Sequence, residues 1–243
     1  MKFFTRQVAA LVAGYACLQV SLAQSSKPAS FTEPNTGIQF DAWTVAESSL
    51  SAGLTFGVAL PEDALDTDAT EFIGYLSCNS ANGDGSGWCG ISLGGSMLDS
   101  LLLVAYPQGD NVLTSFRIAS DYAMPDVYTG DAKLTQISWS VDPTGFTVLF
   151  RCQGCFSWEQ DGTAGNASTS ASRLLLGWAQ AEENPTDGAC PDDMSLMQHE
   201  GQSIWNAELD ANATSSMYDS WAELARIQVP GDCGVGNRTR LRH

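Results

Sequence analysis

Two side chains in this 243-residue chain invite a question about metal chemistry, the thioether of Met97 and the imidazole of His199. The chain holds only two histidines, His199 and the terminal His243, so a histidine-based site in its body must use His199 alone. That excludes ordinary zinc catalysis, which needs three protein ligands commonly rich in histidine. It permits an iron porphyrin, where one imidazole and one thioether complete the coordination of the metal. Taken without context, a lone histidine in a polar loop is more often a surface residue, and a methionine such as Met97 is more often core.

Other patterns carry weaker chemistry. Gly90-Ile91-Ser92-Leu93-Gly94 has the form of a nucleophile elbow, and Ser92, an aspartate and His199 follow in hydrolase order. An elbow must join a strand to a helix, whereas this one leads into the apolar run Leu101 to Tyr106, which reads as another strand. The acidic stretch Glu62, Asp63, Asp66, Asp68 and Glu71 and the turn Asn79 to Asp84 offer oxygen ligands, but neither has the spacing of a calcium loop. A solvated acidic face accounts for both.

The elements that must position these residues read as β-structure. Eight segments rich in β-branched and aromatic residues recur: Thr55 to Leu60, Glu71 to Leu76, Trp88 to Leu93, Leu101 to Tyr106, Val112 to Ala119, Lys133 to Val141, Phe146 to Cys152 and Leu174 to Gln180. Turn chemistry such as Asn82-Gly83-Asp84-Gly85 and Asp142-Pro143-Thr144-Gly145 separates them, which predicts an all-β antiparallel sandwich. A short helix is expected within Ser215 to Ile227, where Met217, Trp221, Leu224 and Ala225 share a face. Between Glu182 and Asn212 the chain turns polar, yet holds Met194, Met197, His199 and Trp205; a loop of that size is usually functional or disordered.

Met1 to Ala23 has the basic start, apolar run and small-residue end of a secretion signal, which places the domain at 24–225 and a disordered tail at 226–243. Cleavage removes Lys2 and Arg6 and takes the formal charge from −17 to about −19. Such a surface argues against nucleic acid as a partner and gives no membrane anchor. Cys17 leaves with the signal. The remaining six cysteines suggest three disulfides in an oxidising compartment; neighbour pairing gives Cys78 with Cys89, Cys152 with Cys155 and Cys190 with Cys233, one of fifteen connectivities. Sequons at Asn166, Asn212 and Asn237 agree with export.

Three longer motifs identify a resemblance. Gly90-Ile-Ser-Leu-Gly-Gly-Ser-Met97 followed by Leu101-Leu-Leu-Val-Ala-Tyr106, then Arg117-Ile-Ala-Ser-Asp-Tyr122 running through Pro125 to Tyr128-Thr-Gly130, then Phe150-Arg-Cys-Gln-Gly-Cys155, resemble in order and interval the cytochrome domain of fungal cellobiose dehydrogenase. The similarity runs from about Phe31 to Met217. It implies an immunoglobulin-like sandwich with a haem b pocket at one end, Met97 and His199 as axial ligands and Tyr122 near the propionates. Residues after His199 depart from the family's glycine- and phenylalanine-rich stretch. Phe156 follows Cys155, so no Cys-x-x-Cys-His is present and attachment would be non-covalent.

The resemblance further implies an electron-relay module that accepts single electrons from a flavoprotein sugar dehydrogenase. The acceptor would be a lytic polysaccharide monooxygenase, ferric iron or a quinone. The sequence carries no flavin-domain fingerprint, so the donor acts in trans or belongs to a longer protein. The rival reading is a haem-free carbohydrate-binding sandwich using Trp43, Trp139, Trp158, Trp178 and Trp205 as its aromatic surface.

Overall fold

The computed structural model describes residues 26–234. The signal at Met1–Ala23, the sequon at Asn237, His243 and the last part of the expected tail lie outside the described residues. In chain order the first strands are β1 (Ala29–Thr32), β2 (Gln39–Val45), β3 (Leu54–Pro61), β4 (Glu71–Asn79) and β5 (Trp88–Ser92). Next come β6 (Leu102–Gln108), β7 (Asn111–Ile118), β8 (Asp126–Val127), β9 (Lys133–Asp142) and β10 (Gly145–Gln153). The chain continues through β11 (Ser157–Gln160), β12 (Thr163–Asn166), β13 (Arg173–Ala181), β14 (Gly201–Glu208), β15 (Thr214–Ser215) and α1 (Tyr218–Ala222). All eight expected strands are present. The short or polar strands β1, β2, β8, β11, β12, β14 and β15 were not expected.

Two sheets make the sandwich. One runs β1-β2-β3-β4-β10-β9, with β15 parallel to β3, and the other runs β14-β13-β5-β6-β7-β8. Strand alternation explains why they face each other. Phe56, Val58 and Leu60 of β3, Phe72 and Leu76 of β4, and Phe146, Val148 and Phe150 of β10 point inward. They meet Ile91, Leu103, Leu174, Leu176 and Trp205 of the second sheet in one core. A disulfide between Cys78 of β4 and Cys89 of β5 ties the two layers together.

Both outer faces are covered as well. Phe40, Ile73 and Leu149 of the first sheet lie under Tyr218 and Ala222 of α1. The helix falls within the expected Ser215 to Ile227 region. On the second sheet, Trp88, Val104, Tyr106, Leu113 and Ala181 form a third apolar cluster with Met194 of the long connection between β13 and β14.

Residues 226–234, which the sequence reading assigns to a disordered tail, are fastened to the edge of β9. Ile227 and Gln136 exchange both backbone hydrogen bonds, and Gln228 Nε2 donates to Thr135 Oγ1 at 2.8 Å. The Asp232 amide donates to the Ala189 carbonyl at 2.7 Å, and a disulfide joins Cys233 to Cys190. The C-terminal segment is thereby bound to the connection that carries His199.

Candidate functional site

The outer face of the second sheet is unusually low along its middle. Register places Gly177 beside Ser92, Ala179 beside Gly90, and Gly90 beside Val104, so small side chains form a floor across three strands. The Trp88 ring leans over Gly90: a Cβ there would lie 3.2 Å from it. Three connections converge on this floor.

The first, 93–101, leaves β5 and carries Met97. It folds back so closely that a Cβ on Gly177 would fall 2.0 Å from the Gly95 carbonyl oxygen, and one on Gly95 would meet Leu175 Cγ at 2.6 Å. Only glycine permits this approach, and Gly95 has a φ of 86°. Ser92 Oγ donates to the Ser96 carbonyl at 2.6 Å, and the Asp99 amide donates to Ala119 at 2.9 Å. Trp158 Nε1 donates to the Asp99 carbonyl at 3.0 Å. Bracing on both sides holds half-buried Met97 in a defined place.

The second connection, 182–200, carries His199, two residues before Gly201, which pairs with Gln180. Gln180 and Gly177 are three residues apart on β13, roughly 10 Å along a strand. The Met97 and His199 loops therefore reach the floor from opposite ends of the strands. The His199 ring is half-buried and stands edge-on to Trp88, with centroids 6.3 Å apart. Trp88 Nε1 also donates to the Met197 carbonyl at 3.2 Å, so one side chain fixes both neighbours of this turn.

The third connection, 119–125, carries Tyr122, which is 83% exposed. It touches the other two: Leu98 bridges Ala119, and the Leu196 amide donates to Met124 Sδ at 3.3 Å. Arg117, buried at the end of β7, joins the second and third connections through backbone carbonyls. Its Nη1 donates to Pro125 at 3.3 Å, while Nη2 donates to Pro191 and, at 3.5 Å, to Met194. Trp88, Arg117 and Met124 escaped the sequence reading as site residues. The available signal was a lone arginine inside the apolar strand Val112 to Ala119.

The chemistry of the donor set fits an iron porphyrin. Burial holds the His199 pKa below its usual value, against the opposing charge of Glu200, which favours the neutral ring that has a lone pair to give. A thioether on the loop at the other end of the floor supplies the second donor type that such a group takes. His199 is the only histidine among the described residues.

The other candidates are not assembled. Ser92 leads into a turn rather than a helix, and its hydroxyl is engaged with Ser96. Asp68 braces a turn by accepting from Ser168 Oγ at 2.7 Å and the Ser170 amide at 2.9 Å, which holds its carboxyl below the usual range. Of the five tryptophans offered as a sugar-binding surface, Trp43, Trp158, Trp178 and Trp205 are buried in the core, and Trp139 is half-buried against it. That aromatic surface does not exist, because the rings fill the space between the sheets. Cys152 and Cys155 form a disulfide with each other, and Asn166 and Asn212 are exposed.

Comparison with known proteins agrees with this fold. The family described as the cytochrome domain of cellobiose dehydrogenase matches residues 31–220. The solved cytochrome domain of Myriococcum thermophilum cellobiose dehydrogenase is 50% identical, with a TM-score of 0.82 over 84% of this chain and 99% of that one. The cytochrome b domain of pyranose dehydrogenase from Coprinopsis cinerea is 27% identical, with a TM-score of 0.67 over 82% of this chain and 95% of that one. The pyrroloquinoline quinone-dependent pyranose dehydrogenase of Coprinopsis cinerea is 30% identical over 84% of this chain; the chain spans about a quarter of that relative's length, 27%. The chain belongs to the family of cellobiose dehydrogenase cytochrome domains.

Proposed function

We propose that this domain binds one haem b non-covalently between Met97 and His199 and relays single electrons from a sugar dehydrogenase to an external acceptor. The observation that carries the reading is the convergence of the Met97 and His199 loops on one glycine-floored face. The haem, when bound, supplies a one-electron iron couple. Met97 and His199 would together hold the iron and leave no position open for O₂ or peroxide, which favours a relay over a catalyst. The weak thioether donor and the buried surroundings favour the reduced state. Tyr122, exposed on the connection that touches both of these loops, would meet the propionate edge.

The donor is a dehydrogenase domain, in the same protein or in trans. A relative named for pyrroloquinoline quinone extends the choice of donor cofactor beyond flavin. Acceptors in the proposal are a lytic polysaccharide monooxygenase, ferric iron or a quinone, and the site of action is extracellular. Among the described residues no helix is long and apolar enough to cross a membrane.

The test is an absorption spectrum of the purified protein, oxidised and then dithionite-reduced, with a pyridine haemochrome assay. A low-spin Soret band with resolved α and β bands and a haem b haemochrome is the expected result. Met97→Ala and His199→Ala each abolish the low-spin pattern. A protein that stays colourless after haem addition overturns the proposal.

A further inference from the structure

Arg117 is 3% exposed and makes no direct ion pair among the described residues, although the carboxylates of Asp192 and Asp126 act on it from farther away. A guanidinium without a direct ion pair is costly to bury, so its position calls for a reason. Its donors are spent on geometry: Nε on Ser115 Oγ at 2.9 Å, Nη1 on the Pro125 carbonyl, and Nη2 on the carbonyls of Pro191 and Met194. Pro125 ends the Tyr122 connection, and Pro191 and Met194 lie on the His199 connection. One planar fork therefore holds two chain segments that share only local contacts otherwise.

The same side chain lies in the site's own row. Register aligns Gly177, Ser92, Leu102 and Arg117 across four adjacent strands, so Arg117 stands two strands, roughly 10 Å, from Ser92, where the Met97 loop begins. A fixed cation at that range in a poorly solvated wall still acts on a charge that changes at the site.

We propose that Arg117 is a positioning and potential-setting residue for the haem site: its guanidinium clamps the Tyr122 and His199 connections, and its buried charge, only partly offset by Asp192 and Asp126, favours the reduced state. The inference rests on the haem reading above. Arg117 is not a ligand and touches no reacting atom. A lysine would keep the charge, but its single ammonium cannot reach three carbonyls on two segments.

The experiment compares wild type, Arg117→Lys and Arg117→Met as haem-loaded proteins by spectroelectrochemical midpoint potential and by haem transfer to apomyoglobin. Amide exchange of the haem-free proteins is followed over residues 120–126 and 189–199. Arg117→Met should lower the potential, release haem on the order of tenfold faster, and raise exchange in both segments while β3 and β4 stay protected. Arg117→Lys should keep a potential near wild type yet exchange faster in both segments.

Equal potentials in all three proteins, or wild-type exchange in Arg117→Lys, overturn the proposal. If Arg117→Met does not fold, Arg117→Lys decides alone: faster exchange at an unchanged potential supports it, and wild-type behaviour sinks it. A wild type that takes up no haem refutes the haem reading itself, and the exchange arm then still decides the clamp.

Discussion

Trp88 shows how much one side chain can carry at the residue scale. Its ring is buried in the outer cluster with Val104, Tyr106 and Met194 and lies nearly perpendicular to the His199 ring, and its indole N–H holds the Met197 carbonyl. Trp88→Phe keeps an aromatic edge and loses the hydrogen bond, which should cost about 1 kcal/mol in urea melts. Trp88→Ala leaves a cavity in the outer cluster and should cost about 3–5 kcal/mol. Both should raise amide exchange at Met197 and His199 ahead of the core strands. If Trp88→Ala melts like wild type, the ring is not what holds the His199 turn. At this scale sequence and structure part company for a physical reason. Met97 and His199 stand out in sequence as candidates because few residue types can ligate a metal. Trp88 reads only as a strand aromatic, and Arg117 only as an interruption, because their roles depend on backbone carbonyls that no pattern of side chains announces.

At the scale of elements, the connection between β13 and β14 is held by more than its own turns. The disulfide between Cys190 and Cys233 spans 43 residues and ties it to the C-terminal segment that pairs with β9. In the chain-entropy view, closing a loop of that length contributes about 4 kcal/mol, and native-state strain usually reduces the gain. The double variant Cys190→Ser, Cys233→Ser should therefore melt well below wild type and lose protection first at residues 189–199 and 227–232. Loss starting instead in β3 or β4 would show that this bridge supports the whole fold rather than the site. The pairing of neighbours is one of fifteen that six cysteines allow, and sequence left them open. The eight central strands were legible because each buries a run of β-branched or aromatic residues. β14 was not: as an edge strand it alternates exposed Gln202, Asn206 and Glu208 with buried Trp205 and Ala207, and it follows a long polar connection. The C-terminal helix falls in the region its apolar spacing marked, and it stops short of Ile227 because that residue is claimed by the edge of β9.

At the scale of the whole molecule, a chain with a formal charge of −17 repels itself above the carboxylate range, and one buried group sharpens the effect. Asp41, fully buried on β2, accepts the Asp210 amide at 3.0 Å through Oδ2, while Oδ1 has no partner. Burial, joined by the nearby Asp210 carboxyl, raises its pKa to about 6 against an ordinary 3.8. A carboxyl whose folded pKa lies above its unfolded one binds more protons when folded. Its contribution is fully present below the unfolded value and is lost as pH rises through about 6. Glu33, Asp68, Asp84 and Asp142 are lowered; the largest lowering influence on each is a hydrogen bond from Thr36, Ser170, Ser86 and Thr144 respectively, although burial opposes it most strongly at Glu33. Their contributions run the other way and are lost as pH falls below the carboxylate range. Maximum stability is expected between about pH 4 and 6. Asp41→Asn keeps an acceptor for the Asp210 amide and cannot ionise. It should raise the melting temperature at pH 7.5, leave it nearly unchanged at pH 4.5, and remove on the order of 2–3 kcal/mol of the alkaline decline. Parallel melts of the two proteins across that range measure it directly. An Asp41→Asn protein whose alkaline decline matches wild type would assign the decline to the surface charge alone, and raising the salt concentration, which screens exposed carboxylates more than a buried one, would then flatten both curves equally.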